Sequence, residues 1–289
     1  MGKLIFNKPE WSTEPVPFDF KVVNQPLEET INRMISRLEN ESRKPDNFYF
    51  LLKGFLTGSF QTYKAIRKLV AKDPKYPAQA HILGRPLIDT FFNIVMLVEK
   101  PVEYSRDYEL SGYRAMWEKY EKQLKRYGSD PEWKSYLEEK KKFLDESAEL
   151  YSLSQDEKTN PSNHIKYWPI PSRMLRSKMF CNEKQRFLEE VYFWRYRQSS
   201  EWSHQAWGGM ALGMFATVPK RHWYRGKFES DAVYTGILFL LMILSEIEAS
   251  CNYSLKQKLR YIWTILNSYF GEAEDYYRLR YDVLLQEKR

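Results

Sequence analysis

The sequence predicts an all-α protein: one multi-helix bundle, residues 26–289, behind an extended N-terminal arm, residues 1–25. Three observations carry that class. Apolar residues recur every three to four positions in most segments, the period of a helix with one buried face. Prolines and Gly-Ser-Asp clusters punctuate those segments at helix-length spacings. Only 12 glycines occur in 289 residues and β-branched alternation is scarce, which argues against extensive sheet. No linker-like stretch and no internal repeat divides the chain.

Taken in order, residues 1–25 hold Pro9, Pro15 and Pro17 among isolated aromatics. They read as an arm lying on the body through Trp11, Phe18 and Phe20, or as a flexible tail. The first helix is expected from Pro26 to about Ser42. Proline suits an early helical position, and Glu28 and Glu29 suit the positive end of the dipole. Ile31, Met34, Ile35 and Leu38 form its stripe. The second helix opens at Pro45, with Asp46 as its cap, and ends near Lys72; Gly54 and Gly58, four apart, suggest a close helix crossing. The third, about Ala78–Glu99, is apolar on most sides after Pro86, as expected of a central helix. Arg85 and Asp89 stand at i,i+4 within it and must pair or reach water.

Pro101 ends that helix. A more polar helix covers 102–127, and Gly128–Pro131 is a stop and restart before a highly charged amphipathic helix over 131–150. Residues 151–172 read as the longest loop, carrying His164, Tyr167 and Trp168. Ser172 caps a short helix, and Asn182 caps the next one. Residues 219–228, PKRHWYRGKF, read as a basic loop. Ser230 or Asp231 then caps an apolar helix, Ala232–Ala249, and Ser254 caps a last helix over about 255–286.

Composition narrows the function classes. The net charge of +7 is modest for 289 residues, compatible with an anionic partner but too diluted by 38 acids for a dedicated nucleic-acid coat. Two cysteines, Cys181 and Cys251, make neither a disulfide framework nor a zinc site, and a reducing cytosol is the simplest setting. The N-terminus lacks the apolar run of a secretory signal. The longest apolar run, Ile237–Leu244, is shorter than the roughly 20 residues that cross a bilayer, so no membrane partner is expected. Patterns for P-loop NTPases, dinucleotide enzymes, zincins and α/β-hydrolases are absent, and no cofactor or metal is expected.

The stretch 183–217, NEKQRFLEEVYFWRYRQSSEWSHQAWGGMALGMFAT, holds the constellation that points to chemistry. Arg197, Ser200, Glu201 and His204 share one face of a helix by their spacing. Arginine is a permanent cation whose fork suits phosphate, and histidine exchanges protons near neutral pH. Such a pair can cut RNA without metal: His204 assists the 2′-hydroxyl or the leaving 5′-oxygen, and Arg197 stabilises charge on the phosphoryl oxygens. Ser200 and Glu201 would orient His204. The same residues also read as a buried polar ladder, with Arg197 paired to Glu201 and His204 bonded to Ser200 or a backbone carbonyl.

The segment RQSSEWSH, 197–204, resembles the Arg-x(4–6)-His motif of the HEPN superfamily, helical proteins that include metal-independent RNases of toxin–antitoxin and anti-phage systems. That resemblance implies Arg197 and His204 as the catalytic pair, RNA as the partner and a homodimer sharing one site. Gln198 departs from the Asn, Asp or His often found after the arginine.

A longer stretch, roughly 75–215, is similar to a bacterial family of helical proteins known only as a domain of unknown function. The residues that carry this are GRPLIDTFFNIVMLVEKP (84–101), YSRDYELSGYRAMWEKY (104–120), the Trp168 region, and Tyr192, Tyr196, Ser200 and His204, which reproduce a Tyr-x(3)-Tyr-x(3)-Ser-x(3)-His ending. Asp89 stands where that family leads one to expect Glu. The resemblance implies a helical bundle and leaves activity open.

Both resemblances share His204 and suggest a composite site of Arg85 and Asp89 from one helix with Tyr196, Arg197, Ser200 and His204 from another. The competing class is a non-catalytic binding or scaffold protein in which these residues fix helix packing. A third is a small-molecule pocket beside Arg85. In the basic loop, Arg221, His222, Trp223 and Arg225 interleave cations with aromatics, the combination that binds single-stranded nucleic acid; a solvated loop is the plain alternative.

Overall fold

The computed structural model describes residues 19–42, 47–71, 76–197, 199 and 222–286. Among them the protein is helical and holds no strand, so the all-α class is borne out. In chain order the helices are α1 (Lys21–Glu41), α2 (Phe48–Ala71), α3 (Pro77–Leu97), α4 (Pro101–Tyr127), α5 (Pro131–Leu150) and the short α6 (Gln155–Thr159), α7 (Pro161–His164) and α8 (Pro171–Arg176). Then come α9 (Asn182–Val191), a π-helical turn Tyr192–Tyr196, α10 (His222–Cys251), α11 (Lys256–Asn267), α12 (Gly271–Tyr276), a second π turn Tyr277–Tyr281 and α13 (Asp282–Leu284). The chain forms two compact units, Met1–Val98 with Pro171–Arg289, and Glu99–Ile170.

In the larger unit, α3 packs against α2 and α10, and α1 against α2 and α11. The first helix starts five residues before Pro26, because Val23 and Leu27 extend the buried stripe of Ile31, Met34 and Leu38 by another turn. The Asp19 carboxylate accepts the Lys21 N–H at 2.9 Å and supplies the start signal. Helix α3 continues unbroken through Pro86 and buries ten residues, as a central helix should.

The expected close crossing at Gly54 and Gly58 is not there: a methyl group added at either meets nothing within 4 Å. The close approach is at Gly236 on α10, where an added Cβ would lie 2.6 Å from Cδ2 of the fully buried Tyr63. By length and composition, Phe228–Cys251 is apolar enough to cross a membrane, but 94% of its most apolar window is buried inside the protein, so it is a core helix. Its carboxylates are satisfied. Glu246 pairs with Arg280 at 2.5 and 2.6 Å and accepts from the Tyr281 hydroxyl at 3.2 Å. Glu248 accepts the N–H groups of Tyr253 and Leu255, both at 3.0 Å, and so pins the turn into α11, a task the sequence assigned to Ser254. The single last helix expected over 255–286 is broken before Gly271.

In the smaller unit, α4 packs against α5 around Leu110, Tyr113, Tyr120, Leu137 and Leu144. The long loop expected over 151–172 holds the short helices α6 and α7, and stays non-helical over 151–154 and 165–170, where Tyr167 and Trp168 sit. A capping box of Ser154 and Glu157 starts α6, and Pro161 occupies the first turn of α7. Glu118 on α4 ties this segment down, accepting from Arg114, Ser162 and Tyr167.

Candidate functional site

The candidate site is built where α9 runs into the π turn Tyr192–Tyr196. A π turn inserts one residue into the helical ladder and re-aims its side chains. Here it stacks Tyr192 on Tyr196, 4.7 Å apart and 21° from parallel. It turns Arg195 and Tyr196 into the protein, at 7% and 9% exposure, and leaves Phe193, Trp194 and Arg197 on the surface.

Arg85 on α3 meets the inward side of this turn. Its guanidinium lies 3.5 Å from the Tyr196 ring centroid, its Nε donates to Asp89 Oδ2 at 3.0 Å, and its Nη1 donates to the Tyr196 carbonyl at 3.4 Å. The pair expected from sequence therefore forms and also reaches water, since the Asp89 side chain is 41% exposed. Partial burial pushes the Asp89 carboxyl upward against the pull of Arg85. Burial likewise raises the Tyr196 phenol, helped by the Asp89 charge.

Arg195, two residues before Arg197, is held in ion pairs. It pairs with both oxygens of Glu272 on α12, through Nε at 2.7 Å and through Nη2, and its Nη1 reaches Asp231 Oδ1 at 3.5 Å and Thr235 Oγ1 at 3.3 Å on α10. Burial opposes its charge, yet Glu272 and Asp231 outweigh that and hold the guanidinium firmly protonated. Tyr276 donates to Glu272 at 3.1 Å. His81 on α3 joins the same cluster, with Nε2 2.9 Å from the Phe228 carbonyl and Nδ1 3.8 Å from Asp231 Oδ2. Burial drives the His81 pKa down in spite of Asp231, so the ring is neutral at physiological pH.

Of the residues singled out by sequence, the structure brings Arg85, Asp89 and Tyr196 together. Arg197 is exposed, with its guanidinium 5.7 Å from the Phe193 ring centroid, and among the described residues no carboxylate pairs with it. Ser200, Glu201, His204 and Arg221 lie outside the described residues. His222, Trp223 and Arg225 belong to the first turn of α10 by their backbone, which corrects the expected basic loop from residue 222 onward. The reason is Phe228, which is buried against Ala78 and Ile82 and carries the apolar helix upstream of Ala232. Sequence reasoning missed Arg195, His81 and Glu272, and gave Asp231 a capping role although it lies inside α10. Their partners are 36 to 147 residues away, and local spacing carries no signal for them.

Among the described residues no group of three or more His, Cys, Asp or Glu is placed to hold a metal ion. A groove of about 600 Å³ runs between α4 and α5 over Tyr120, Leu124 and Leu137, and none of the candidate residues lines it.

Residues 49–217, more than half the chain, match the model of a family described as a family of unknown function, DUF5677, and the chain belongs to that family. The similarity read over residues 75–215 is thereby borne out. The match takes in α2 through α9, the π turn, Arg197 and His204. No curated protein and no solved structure matches.

Proposed function

We propose that this member of DUF5677 is a HEPN-like, metal-independent endoribonuclease whose Arg197 and His204 act on one phosphodiester. The reaction is transesterification. The 2′-oxygen attacks phosphorus, the bond to the 5′-oxygen breaks, and the products are a 2′,3′-cyclic phosphate and a 5′-hydroxyl. The 2′-hydroxyl proton leaves to a base and the departing 5′-oxygen takes one up; His204 serves one of these transfers and solvent the other. Arg197 offsets the charge that builds on the non-bridging oxygens. A cytosolic phage-defence or toxin–antitoxin role, with two protomers sharing the site, is the setting this reading implies.

One observation supports it above the others: Arg197 is exposed while Arg195, two residues earlier, is buried in ion pairs. A ladder made for packing would bury Arg197. A cation exposed at the surface directly after a π turn can meet a phosphate. The test is incubation of labelled RNA in EDTA with the parent protein and with His204→Ala, after confirming equal folding. Cleavage by the parent alone, leaving cyclic phosphate ends, is expected. Equal cutting by the variant would remove His204 from the chemistry, and no cutting by either across varied RNAs would remove the nuclease reading.

The second reading, a non-catalytic binding or scaffold protein, draws support from the buried cluster of Arg195, Glu272, Asp231 and His81, which joins α3, α10, α12 and the π turn. Such a network rigidifies helix packing with no need for chemistry.

A further inference from the structure

We infer that Phe193 and Trp194 form a stacking platform that selects an unpaired RNA base beside Arg197; this rests on the ribonuclease reading and names its substrate as single-stranded RNA. Both rings are large, apolar and outward-facing, at 53% and 40% exposure, on a turn that buries Tyr196 and half-buries Tyr192. Their centroids are 5.1 Å apart and their planes 87° apart, an edge-to-face pair. The Trp194 indole N–H donates to Glu190 Oε2 at 3.1 Å, which fixes that ring and satisfies its polar atom.

Charge gives the platform a direction. Glu190 lies one helical turn before Trp194, and Arg197 lies one turn after Phe193, with its guanidinium 5.7 Å from the Phe193 centroid. A strand whose base rests on Phe193 keeps its phosphate away from the carboxylate and within reach of the guanidinium. Bases in a duplex are already stacked on one another and cannot take up a protein ring, whereas bases of loops and single strands can. The chemistry asks for the same substrate, since in-line attack by the 2′-oxygen needs a backbone freed from A-form geometry. The other occupant that exposed aromatics can serve is a second copy of this chain.

The experiment is fluorescence anisotropy with a labelled, mixed-sequence, single-stranded 2′-O-methyl RNA, which cannot be cut, and with the same strand annealed to its complement. The parent should bind the single strand more tightly than the duplex. Phe193→Ala should weaken single-strand binding about ten-fold, the loss of one base–aromatic stack, and Phe193→Tyr should retain it. Trp194→Ala should act in the same direction, with circular dichroism confirming that each variant folds. Equal affinity for duplex and single strand, or an unchanged affinity in both alanine variants, would overturn the inference. So would alanine variants that turn a dimer into monomers in sedimentation velocity while leaving RNA affinity intact, because the patch would then be a protein interface. A chain that binds single strands through Phe193 yet cuts no RNA would keep this inference and remove the nuclease reading. A chain that cuts RNA with no dependence on Phe193 or Trp194 would do the reverse.

Discussion

Glu272→Ala should destabilise the protein more than Arg195→Met, although both break the same ion pair. Glu272 supplies both oxygens that grip the guanidinium; without it Arg195 keeps Asp231 at 3.5 Å and Thr235 at 3.3 Å. The Arg195 side chain is 8% exposed, so water cannot take the place of the lost carboxylate. Removing one partner of a buried pair costs about 3–5 kcal/mol, and the surviving Asp231 places Glu272→Ala near the low end, about 3 kcal/mol. Arg195→Met leaves two carboxylates that are 33% and 35% exposed, can hydrate, and no longer face a buried cation. Methionine also keeps much of the arginine stem's packing, so the cost should be about 1–2 kcal/mol. Urea unfolding followed by circular dichroism measures both, provided the slope with denaturant is unchanged. The double variant should cost less than the two single losses added together, because they share one interaction. Greater damage from Arg195→Met, or a cost under about 1 kcal/mol for Glu272→Ala, would contradict this ordering.

Three further predictions follow from the packing and the charges. Gly236→Ala should cost about 1–3 kcal/mol, since its Cβ would strike the Tyr63 ring, while Gly54→Ala, facing open space within a helix, should gain up to about 1 kcal/mol; thermal melts separate the two. Arg85→Ala should cost about 1–2 kcal/mol by stripping the guanidinium from the Tyr196 ring, and Arg85→Lys should restore only part of this because the flat face is lost; the same unfolding assay reads it. In the smaller unit, hydrogen bonds from Tyr167 and Arg114 hold the Glu118 carboxyl down from 4.5 to about 2. A depressed carboxyl stabilises the fold above its unfolded pKa, so the fastening of residues 162–167 should persist above pH 4.5 and be lost as pH falls toward 2. Glu118→Gln should abolish that pH dependence, as followed by the Tyr167 ring resonances in NMR.

The sequence was informative where information is local. Helix periodicity and proline breaks located α2 through α5 and α10, and the Arg85–Asp89 pair was readable because its partners sit one turn apart. The Tyr192 and Tyr196 spacing was legible as part of a family-like ending, while their stacking emerges only in the structure. Long-range pairing was not readable. Arg195, Arg197 and their neighbours look alike in YFWRYRQ, and the partners that mark Arg195 as the buried one, Asp231, Thr235 and Glu272, lie 36, 40 and 77 residues on. The π turn compounds this, because helical phase read from a 3.6-residue period drifts when one residue is inserted. Elsewhere a signal was present but weighed too lightly: S-Q-D-E at 154–157 is a capping box, and it marks a helix inside the stretch that polarity suggested was a loop.

On the proposed function, two arginines two residues apart divide their labour, Arg195 holding the fold and Arg197 meeting the phosphate. Arg197→Ala tests this division most directly when its unfolding midpoint and its RNA cleavage in EDTA are measured on one preparation. Stability should stay within about 0.5 kcal/mol of the parent, as for other exposed positions, while cleavage is lost. Cleavage at the parent rate, or a large fall in stability, would contradict that division.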